Sequence, residues 1–542
     1  MPEITLAREG LSLDGKVLTN FTCEEIEALY SSQCPGKIIA IELKVHAPDG
    51  NHRVTTYIND SIVEQILAAV PSCRVIGKGS SELIDAYLIE QAAGAGGNRV
   101  LLQEFGLHRL YNGLSVFVAG DEVLGNCGNI DAVIAPSVSI VRLARNGGDD
   151  QDAAVNILNA ISANVPVVLP IFMYTLLCSL RSQIAKLGIV TTFPVIYLFG
   201  LQSSGKSWLV EHYSLLYDDT ATGNMYGNLD ASSTDLGVIQ TVSSYKDSVI
   251  AVDDLPKSSS SSVQRDRLEV VEKSIRFIAN GSIRITASNS AAKAPIRCQA
   301  GAVYTGEISL DTASMLTRLL EVPLTDYART RGGTIRADAA ATFRQWMLWL
   351  LPHLDEELEQ LKVSLTEAAK SKNARMETTK ILFLWIVELF YRFAWKEDVI
   401  EKVYYVGALD RAREVFGALL SAQEEKVLRI QDQAPKGNLS HCIQEGYRNG
   451  AFHVVTRRKD LKSDNDCLVE KDALCIRTKT LLAYLCGQAN FRGLTEKRMS
   501  KELRDEGALP DTLEKRAATK KINGKRFMEL SFSALDSAAQ KY

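Results

Sequence analysis

An apolar run, a glycine-rich turn and a helix-like segment follow one another between residues 193 and 210, in the order Phe-Pro-Val-Ile-Tyr-Leu-Phe-Gly-Leu-Gln-Ser-Ser-Gly-Lys-Ser-Trp-Leu-Val. The turn from Gly200 to Ser207 fits the pattern G-x-x-x-x-G-K-[ST]. Chance matches to so short a pattern are common, but a preceding apolar strand and a following helix are the context that it requires. Because the N–H groups of such a turn bind phosphate oxygens, the segment predicts an α/β core with a phosphate-binding loop.

The residue types in the loop predict a nucleoside triphosphate and Mg²⁺ as its ligands. We expect Lys206 to contact the β- and γ-phosphates and the Ser207 hydroxyl to bind Mg²⁺. The cofactors predicted from this pattern are therefore ATP and Mg²⁺. The other predicted nucleotide contacts in the segment are Gly200, Gln202, Ser203, Ser204, Gly205 and Trp208.

An acidic pair follows a second apolar strand, Ser248-Val-Ile-Ala-Val-Asp-Asp-Leu255. We expect Asp253 to hold Mg²⁺ through water, and Asp254 to orient or deprotonate the attacking water. Many hydrolytic P-loop enzymes have Glu at the second position, so Asp254 is one methylene shorter. The alternative interpretation of the pair is an acidic turn after a core strand.

The segment after the acidic pair carries further candidates. A helix is predicted to end at Asn280-Gly281, and a basic hairpin with Arg284, Lys293 and Arg297 is predicted to follow it. Thr305 would then lie at the end of the next strand near the γ-phosphate. Arg318 ends a short helix, from which it could contact the ATP of a neighbouring subunit. By spacing alone, Arg318 and the hairpin residues could equally be solvated surface charges.

The composition fits several globular domains. The 542 residues are 46% hydrophobic and carry 61 basic and 65 acidic side chains, which excludes disorder and a wholly basic nucleic-acid coat. The charge is uneven, since residues 441–542 hold 20 basic and 14 acidic residues. The longest apolar stretch, Val165 to Leu180, is shorter than the roughly 20 residues that span a bilayer. It is predicted to be a buried helix, and the chain to have no membrane partner and to be cytoplasmic.

The chain is predicted to divide into an N-terminal α/β or β-rich domain at 1–145, a helical linker at 146–190, the ATPase core at 191–345, a helical lid at 346–440 and a winged-helix domain at 441–542. In the last of these, two helices, the second with Thr495 as its N-terminal cap, precede a hairpin whose turn is Asn523-Gly524. This order is typical of winged helix-turn-helix domains, although a packing module with a solvated basic face is the alternative. The predicted DNA contacts here are Lys497, Arg498, Lys501, Lys520, Lys521, Lys525 and Arg526.

From about Phe105 to its end, the sequence resembles the AAA+ helicases of phages, plasmids and integrated mobile elements, which are related to minichromosome-maintenance and superfamily 3 helicases. The resemblance rests on Phe105-Gly-Leu-His, Phe117-Val-Ala-Gly-Asp, the loop, Val-Asp-Asp, Ile278-Ala-Asn-Gly, Tyr304-Thr-Gly-Glu and Thr317-Arg-Leu-Leu-Glu-Val. It implies an AAA+ core and a homo-hexameric ring, with Thr305 as sensor 1 and Arg318 as the arginine finger. It further implies that residues 284–297 form a DNA-gripping pore hairpin and that Arg375 is a second sensor.

The expected activity is that of an ATP-dependent, ring-forming DNA helicase or translocase that acts on single-stranded or forked DNA. The leading alternative is an oligomeric AAA+ defence or assembly ATPase that is switched by ATP and does not unwind DNA. A P-loop phosphotransferase is a third class, for which the sequence offers no evident acceptor pocket. The first hundred or so residues carry no recognisable catalytic motif.

Overall fold

The computed structural model of the protein describes residues 4–7, 10–77, 79–145, 152–190, 192–230, 235–255, 261–281, 297–310, 312–324, 335–371, 373–433, 439–470, 473–488, 491, 494–509, 519–533 and 535–536. The chain divides into two compact units, Met1–Glu424 and Glu425–Tyr542. The first unit contains the predicted phosphate-binding loop. The second contains the whole of the basic segment 441–542.

The first unit begins with a mixed α/β segment. Its elements are β1 (Ile4–Ala7), β2 (Gly10–Leu13), β3 (Lys16–Val17), β4 (Thr22–Ser31), β5 (Ile38–Ala47), β6 (Gly50–Tyr57), α1 (Ile62–Ala69), α2 (Ser81–Ala95), β7 (Arg99–Leu102), β8 (Gly106–Arg109), β9 (Ser115–Val118), β10 (Val123–Leu124), β11 (Asp131–Ile134) and β12 (Val141–Leu143). The described strands include a five-stranded sheet in the order β11-β7-β4-β5-β6, which combines parallel and antiparallel pairs. Alternating apolar residues between turns predict strands at 36–45, 53–58 and 113–121, and the structure confirms them as β5, β6 and β9.

Three helices connect this segment to the core: α3 (Ala153–Ala163), α4 (Val165–Cys178) and α5 (Arg181–Lys186). Every residue of α4 from Val167 to Cys178 is buried, which confirms the predicted buried helix. Pro166 lies in the first turn, where the helix has no N–H bond to lose, and Pro170 lies inside the helix. Among the residues that the structure describes, no helix is long and apolar enough to cross a membrane.

A parallel sheet forms the centre of the first unit. The elements in this part are β13 (Val195–Gly200), α6 (Lys206–Tyr213), β14 (Tyr217–Asp219), β15 (Asn228–Asp230), α7 (Asp235–Ser244), β16 (Lys246–Leu255), α8 (Ser261–Asn280), β17 (Gln299–Gly306), α9 (Ala313–Leu316) and β18 (Leu319–Leu324). The described strands are ordered β15-β16-β17-β13-β18, and all four neighbouring pairs are parallel. The carboxyl ends of β13, β16 and β17 therefore meet at one edge, which is where ligands bind in open α/β sheets.

Helices complete the first unit: α10 (Ile335–Leu350), a 3₁₀ turn (Leu351–His353), α11 (Leu354–Ala368), α12 (Ala374–Lys396) and the start of α13 (Lys402–Gln433). Residues 381–387 of α12 are predicted to be buried on every side. Leu382, Phe383, Ile386 and Val387 are fully buried, whereas Ile381, Leu384 and Trp385 are half-buried against the same core. That core extends from β13 and α6 through α4 into α12, so the two elements that flank the loop pack against one continuous apolar core.

The second unit contains α14 (Leu439–Arg448), β19 (His453–Val455), a 3₁₀ turn (Arg458–Asp460), β20 (Asp466–Glu470), β21 (Ala473–Arg477), α15 (Thr478–Gly487), α16 (Glu496–Asp505), β22 (Thr519–Ile522) and β23 (Lys525–Ser531). The predicted cap of α16 is confirmed, since the Thr495 side chain accepts from the N–H of Arg498. The predicted hairpin turn is also confirmed, with Asn523 at φ 49° and Gly524 at φ 76° between β22 and β23.

Candidate nucleotide-binding site

The loop after β13 contains residues with positive φ and a glycine that is packed tightly against the neighbouring strand. Ser203 and Gly205 adopt left-handed conformations, with φ of 60° and 96°. A Cβ at Gly200 would lie 2.5 Å from the carbonyl oxygen of Leu324 on the neighbouring strand, so only glycine fits there. The chain consequently makes a tight turn between β13 and α6, with the first turn of α6 beginning at Lys206.

Lys206 is folded over this turn. Its side chain is largely buried, and Nζ donates to the carbonyl oxygens of Gly200 at 3.0 Å and Leu201 at 2.8 Å. The buried hydroxyl of Ser204 has no hydrogen-bond partner among the described residues. A buried hydroxyl without a partner is costly unless something else bonds to it, and a phosphate oxygen is a suitable acceptor. The loop residues therefore fit a phosphate group.

Two hydroxyl groups converge on one carboxylate oxygen at the strand ends. Ser207 Oγ donates to Asp253 Oδ1 at 3.0 Å, and Thr305 Oγ1 donates to the same oxygen. Thr305 is almost completely buried on β17, directly opposite Leu198 of β13. The contact thus unites the start of α6 with β16 and β17. Hydroxyl and carboxylate oxygens are the ligands that Mg²⁺ accepts, so the residues present fit the predicted metal.

Asp253 and Asp254 lie within β16, at an irregularity of its pairing with β17. The register is regular from Val249 opposite Gly301 to Val252 opposite Tyr304, and it resumes at Leu255 opposite Gly306. Two residues therefore oppose Thr305 alone, and such a bulge redirects side chains. The sequence predicts both carboxylates at the carboxyl end of the strand, and in the structure they lie in this bulge, just before the last strand residue, Leu255. The side chain of Asp254 lies outside the described residues.

The remaining predicted contacts in the loop differ in exposure. Gln202 and Ser203 are exposed. The ring of Trp208 is half-buried and stacks on His212 with centroids 4.1 Å apart, one turn further along α6. Burial lowers the pKa of His212, whose Nδ1 lies 2.8 Å from the carbonyl oxygen of Trp208. Trp208 thus packs along its own helix.

Arg318 lies at the opposite edge of the sheet from the loop. Its carbonyl oxygen accepts from the N–H of Val195, the first residue of β13, whereas Gly200 is the last. Five steps of about 3.3 Å make these positions roughly 16 Å apart, which is farther than an arginine side chain extends. Arg318 therefore does not contact the loop of its own chain. Its Nη1 donates to the carbonyl and hydroxyl oxygens of Ser314 at 2.6 and 3.0 Å.

Three arginines gather at this edge. The pKa of Arg318 is lowered by burial first, and then by the charges of Arg375 and Arg276, while Glu272 opposes the shift. Arg276 of α8 donates to Ser314 Oγ at 3.1 Å and pairs with Glu272. The buried Nε of Arg318 has no partner among the described residues.

Arg375, which the resemblance implies is a second sensor, is exposed in the first turn of α12, and its charge contributes to the lowered pKa of Arg318. Sequence reasoning missed Arg276, because an arginine on the exposed face of an amphipathic helix carries no distinguishing local signal.

The predicted DNA contacts are distributed over both units. Arg284 and Lys293 lie outside the described residues, as does the side chain of Lys520, whereas Arg297 is exposed just before β17. The side chains of Lys497, Arg498 and Lys501 are exposed on α16, and those of Lys521, Lys525 and Arg526 are exposed beside the hairpin turn. Arg498 pairs with Glu502 at 2.6 Å and Lys525 with Asp464 at 3.2 Å, so their charges are partly compensated.

A buried carboxylate fixes the other end of β16. Asp247 accepts from the N–H of Leu107 at 2.9 Å, and from the N–H and hydroxyl of Ser182 at 2.6 and 2.7 Å. Burial raises the pKa of Asp247 to about 6 despite these donors. Gly106 has φ 88°, and a Cβ there would lie 2.6 Å from that of Asp247. The segment that begins at Phe105 thus bonds directly to the strand that carries Asp253.

No protein-family model matches the chain, and no curated protein matches it. Among solved structures, the fold is similar to one described as "SCCmec type IV Cch - active helicase", with 14% sequence identity, 99% of both chains covered and a TM-score of 0.54. A structure of JCV helicase with a bound small molecule also matches, with 11% identity, 49% of this chain and 73% of the other covered, and a TM-score of 0.20, which is too low to support an argument. The first similarity shows that the chain has a helicase-like fold.

Proposed function

We propose that the protein is an ATP-driven DNA helicase or translocase of the AAA+ class, in which subunits form a ring and hydrolyse ATP at their interfaces. The observation that carries the proposal is the convergence of Ser207 and Thr305 on Asp253 beside a lysine held over a glycine-rich loop. The helicase-like fold over the full chain supports the same class. The proposed domains are those given above, with a lid at 346–440 and a winged helix at 441–542.

Each group at the loop has a proposed task. Lys206, Ser204 and the backbone N–H groups of the turn are proposed to bind and orient the phosphates, because a glycine-rich turn that leads into a helix N-terminus offers N–H groups to anions. Mg²⁺, when bound by Ser207 and Asp253, would neutralise developing charge on the phosphates. Thr305 holds the Asp253 carboxylate and is the proposed sensor of hydrolysis. Asp254 is the proposed base, on the strength of its place in the sequence.

The edge of the sheet at which Arg318, Arg276 and Arg375 lie is the proposed subunit interface. Arg318 is too far from the loop of its own chain to assist there, yet its Nε is buried without a described partner and its neighbours are mostly cationic. Such a group is suited to stabilise the negative charge of a phosphate supplied by the adjacent subunit. Arg276 and Arg375 belong to the same proposed set, and Ser314 positions Arg318 through two hydrogen bonds.

DNA is the polymer along which we propose that the protein moves. In this proposal, the segment 284–297 contacts DNA in the pore, and α16 with the β22–β23 hairpin contacts it through the second unit. The cations involved would bind phosphates and so provide affinity without sequence specificity.

The direct test measures ATP hydrolysis by the full-length chain with and without single-stranded or forked DNA, together with strand displacement. Lys206→Ala should abolish both activities, while Lys362→Ala, which removes an exposed lysine of α11, should leave them unchanged. DNA should stimulate hydrolysis by the wild-type protein. Hydrolysis that is indifferent to every DNA tested would contradict the motor and favour the ATP-switched assembly ATPase.

A further inference from the structure

The connection between β19 and β20 is strongly cationic. Its seven residues from Thr456 to Lys462 read Thr-Arg-Arg-Lys-Asp-Leu-Lys, and all except the half-buried Leu461 are exposed. Arg458 to Asp460 form one 3₁₀ turn. The loop backbone is held in place, because the Asp466 carboxylate accepts from the N–H groups of Lys462 and Ser463. The cations are therefore presented by an ordered loop.

This loop touches the turn of the β22–β23 hairpin. Asn523 Nδ2 donates to the carbonyl oxygen of Arg458 at 3.4 Å. Asp464, just beyond the cationic stretch, accepts from Lys525 at 3.2 Å and from Arg477 at the end of β21. Its carbonyl oxygen also accepts from Thr480 Oγ1 at 2.7 Å in α15. Asp464 thus fixes the loop against both the hairpin and α15.

The charges on this combined surface are not balanced. The positive charge of Arg458 is compensated, because its Nε and Nη2 donate to the two carboxylate oxygens of Glu470 at 2.5 and 2.9 Å. Other cations have no ion pair among the residues that the structure describes, and these are Arg457, Lys459, Lys462, Lys521 and Arg526. Cations from two separate segments are therefore held side by side, with little acidic compensation.

We propose that the loop 456–462 and the hairpin turn form one surface that binds the phosphodiester backbone of DNA, with Asp464 as a positioning residue. The proposal rests on the proposed DNA function and adds a contact element to it. Spaced lysines and arginines are sufficient to bind phosphates, whereas an interface with an acidic protein ordinarily needs a buried apolar or aromatic centre. The exposed residues of the loop provide no such centre. The surface is accordingly expected to bind without regard to base sequence.

The test uses the full-length chain and a fluorescent duplex of mixed sequence, with Kd measured over a range of salt concentrations. A triple variant, Arg457→Ala with Lys459→Ala and Lys462→Ala, should weaken binding at least tenfold at low salt. It should also reduce the slope of log K against log salt by about 2 to 3, since each phosphate contact contributes roughly 0.9. Hydrolysis of ATP without DNA should not change. The matched control, Lys362→Ala with Lys370→Ala and Arg413→Ala, removes three positive charges from exposed sites of the first unit.

The outcomes separate the two proposals. If the triple variant and the control bind duplex equally, the loop is not a contact surface, although the motor proposal stands. If the wild-type protein binds no DNA, the motor proposal fails. Poly-glutamate serves as the probe for an acidic protein partner. If the triple variant weakens the binding of poly-glutamate as much as it weakens the binding of duplex, the assignment of the surface to DNA is overturned.

Asp464→Ala provides a second, independent readout. The substitution removes a negative charge from a DNA-binding surface, so electrostatics alone would strengthen binding. If Asp464 positions the loop, binding should instead weaken by about threefold or more, and Asp460→Ala, the neighbouring acidic control, should strengthen it slightly. Circular dichroism should show that both variants are fully folded at the temperature of the binding measurement. Tighter binding by Asp464→Ala would show that the residue does not position the surface.

Discussion

Ser207 Oγ donates a 3.0 Å hydrogen bond to Asp253 Oδ1, and this bond connects the first turn of α6 to β16 across the end of the sheet. The same oxygen accepts from Thr305 on β17. A carboxylate with two hydroxyl donors is held in one orientation without neutralisation of its charge. Asp253 is therefore an oriented anionic group directly beside the loop, and we propose that this loop binds the phosphates.

Thr305→Val should impair hydrolysis while preserving the fold. Valine has nearly the shape of threonine but donates no hydrogen bond, so Asp253 loses one of its two hydroxyl donors. A hydrogen bond to a charged group contributes about 1.5–3 kcal/mol, which corresponds to a decrease of roughly 10- to 160-fold in kcat. Steady-state hydrolysis measures the effect. Thr305→Ser retains the donor and should recover most of the activity; equal losses in the two variants would contradict the role of the hydroxyl.

Mixing two inactive variants should restore hydrolysis if Arg318 acts on a neighbouring subunit. Lys206→Ala retains Arg318, and Arg318→Ala retains the loop, so an interface between the two can contain one complete site. With random mixing into a closed ring of head-to-tail interfaces, about a quarter of the interfaces are complete. We expect each variant alone to be inactive and the equimolar mixture to regain roughly that share of wild-type turnover. A mixture that stays inactive, although its subunits co-assemble, would contradict the shared site.

Gly106→Ala should destabilise the first unit more than Gly113→Ala does. Both glycines have positive φ, 88° and 85°, so each substitution costs roughly 1–2 kcal/mol of backbone energy. Only at Gly106 would the new Cβ meet another group, the Asp247 side chain at 2.6 Å. Thermal unfolding should therefore show a clearly larger decrease in Tm for Gly106→Ala. Equal decreases would show that the contact with Asp247 adjusts freely.

Sequence reasoning identified features that depend on adjacent residues. The loop from Gly200 to Ser207, the cap at Thr495 and the turn at Asn523 each follow from a short pattern with its own local chemistry. It could not identify relationships set by strand register. The bulge that brings Asp253 opposite Thr305 depends on the pairing of β16 with β17.

Two further sets of contacts could not be predicted from local sequence patterns. Asp247 accepts from Leu107, 140 residues earlier in the chain, because β8 packs against the start of β16. The gathering of Arg276 and Arg375 around Arg318 likewise follows from how three separate elements pack. These contacts are long-range consequences of the fold, so no short window of the sequence contains them.

Stability in mild acid should reflect two neighbouring groups that act in opposite directions. Burial lowers the pKa of His108 from 6.5 to about 4, so the unfolded chain binds a proton that the folded chain does not, and acidification through this window destabilises the fold. Burial raises the pKa of Asp247 from 3.8 to about 6, so the folded chain takes up its proton first and acidification stabilises it. Lys246, Glu104 and Lys186 are charged neighbours of His108.

Single variants separate these two contributions. His108 Nε2 lies 2.7 Å from the carbonyl oxygen of Glu104, and the Nε2 of glutamine can donate there instead, so His108→Gln should retain the fold without the titration. Between pH 6.5 and 4.5, its urea midpoint should fall less than that of the wild type. Asp247→Asn removes the opposing titration, so its midpoint should fall more steeply. Parallel pH profiles for all three proteins at constant ionic strength would show that neither group titrates within the folded chain as its burial requires.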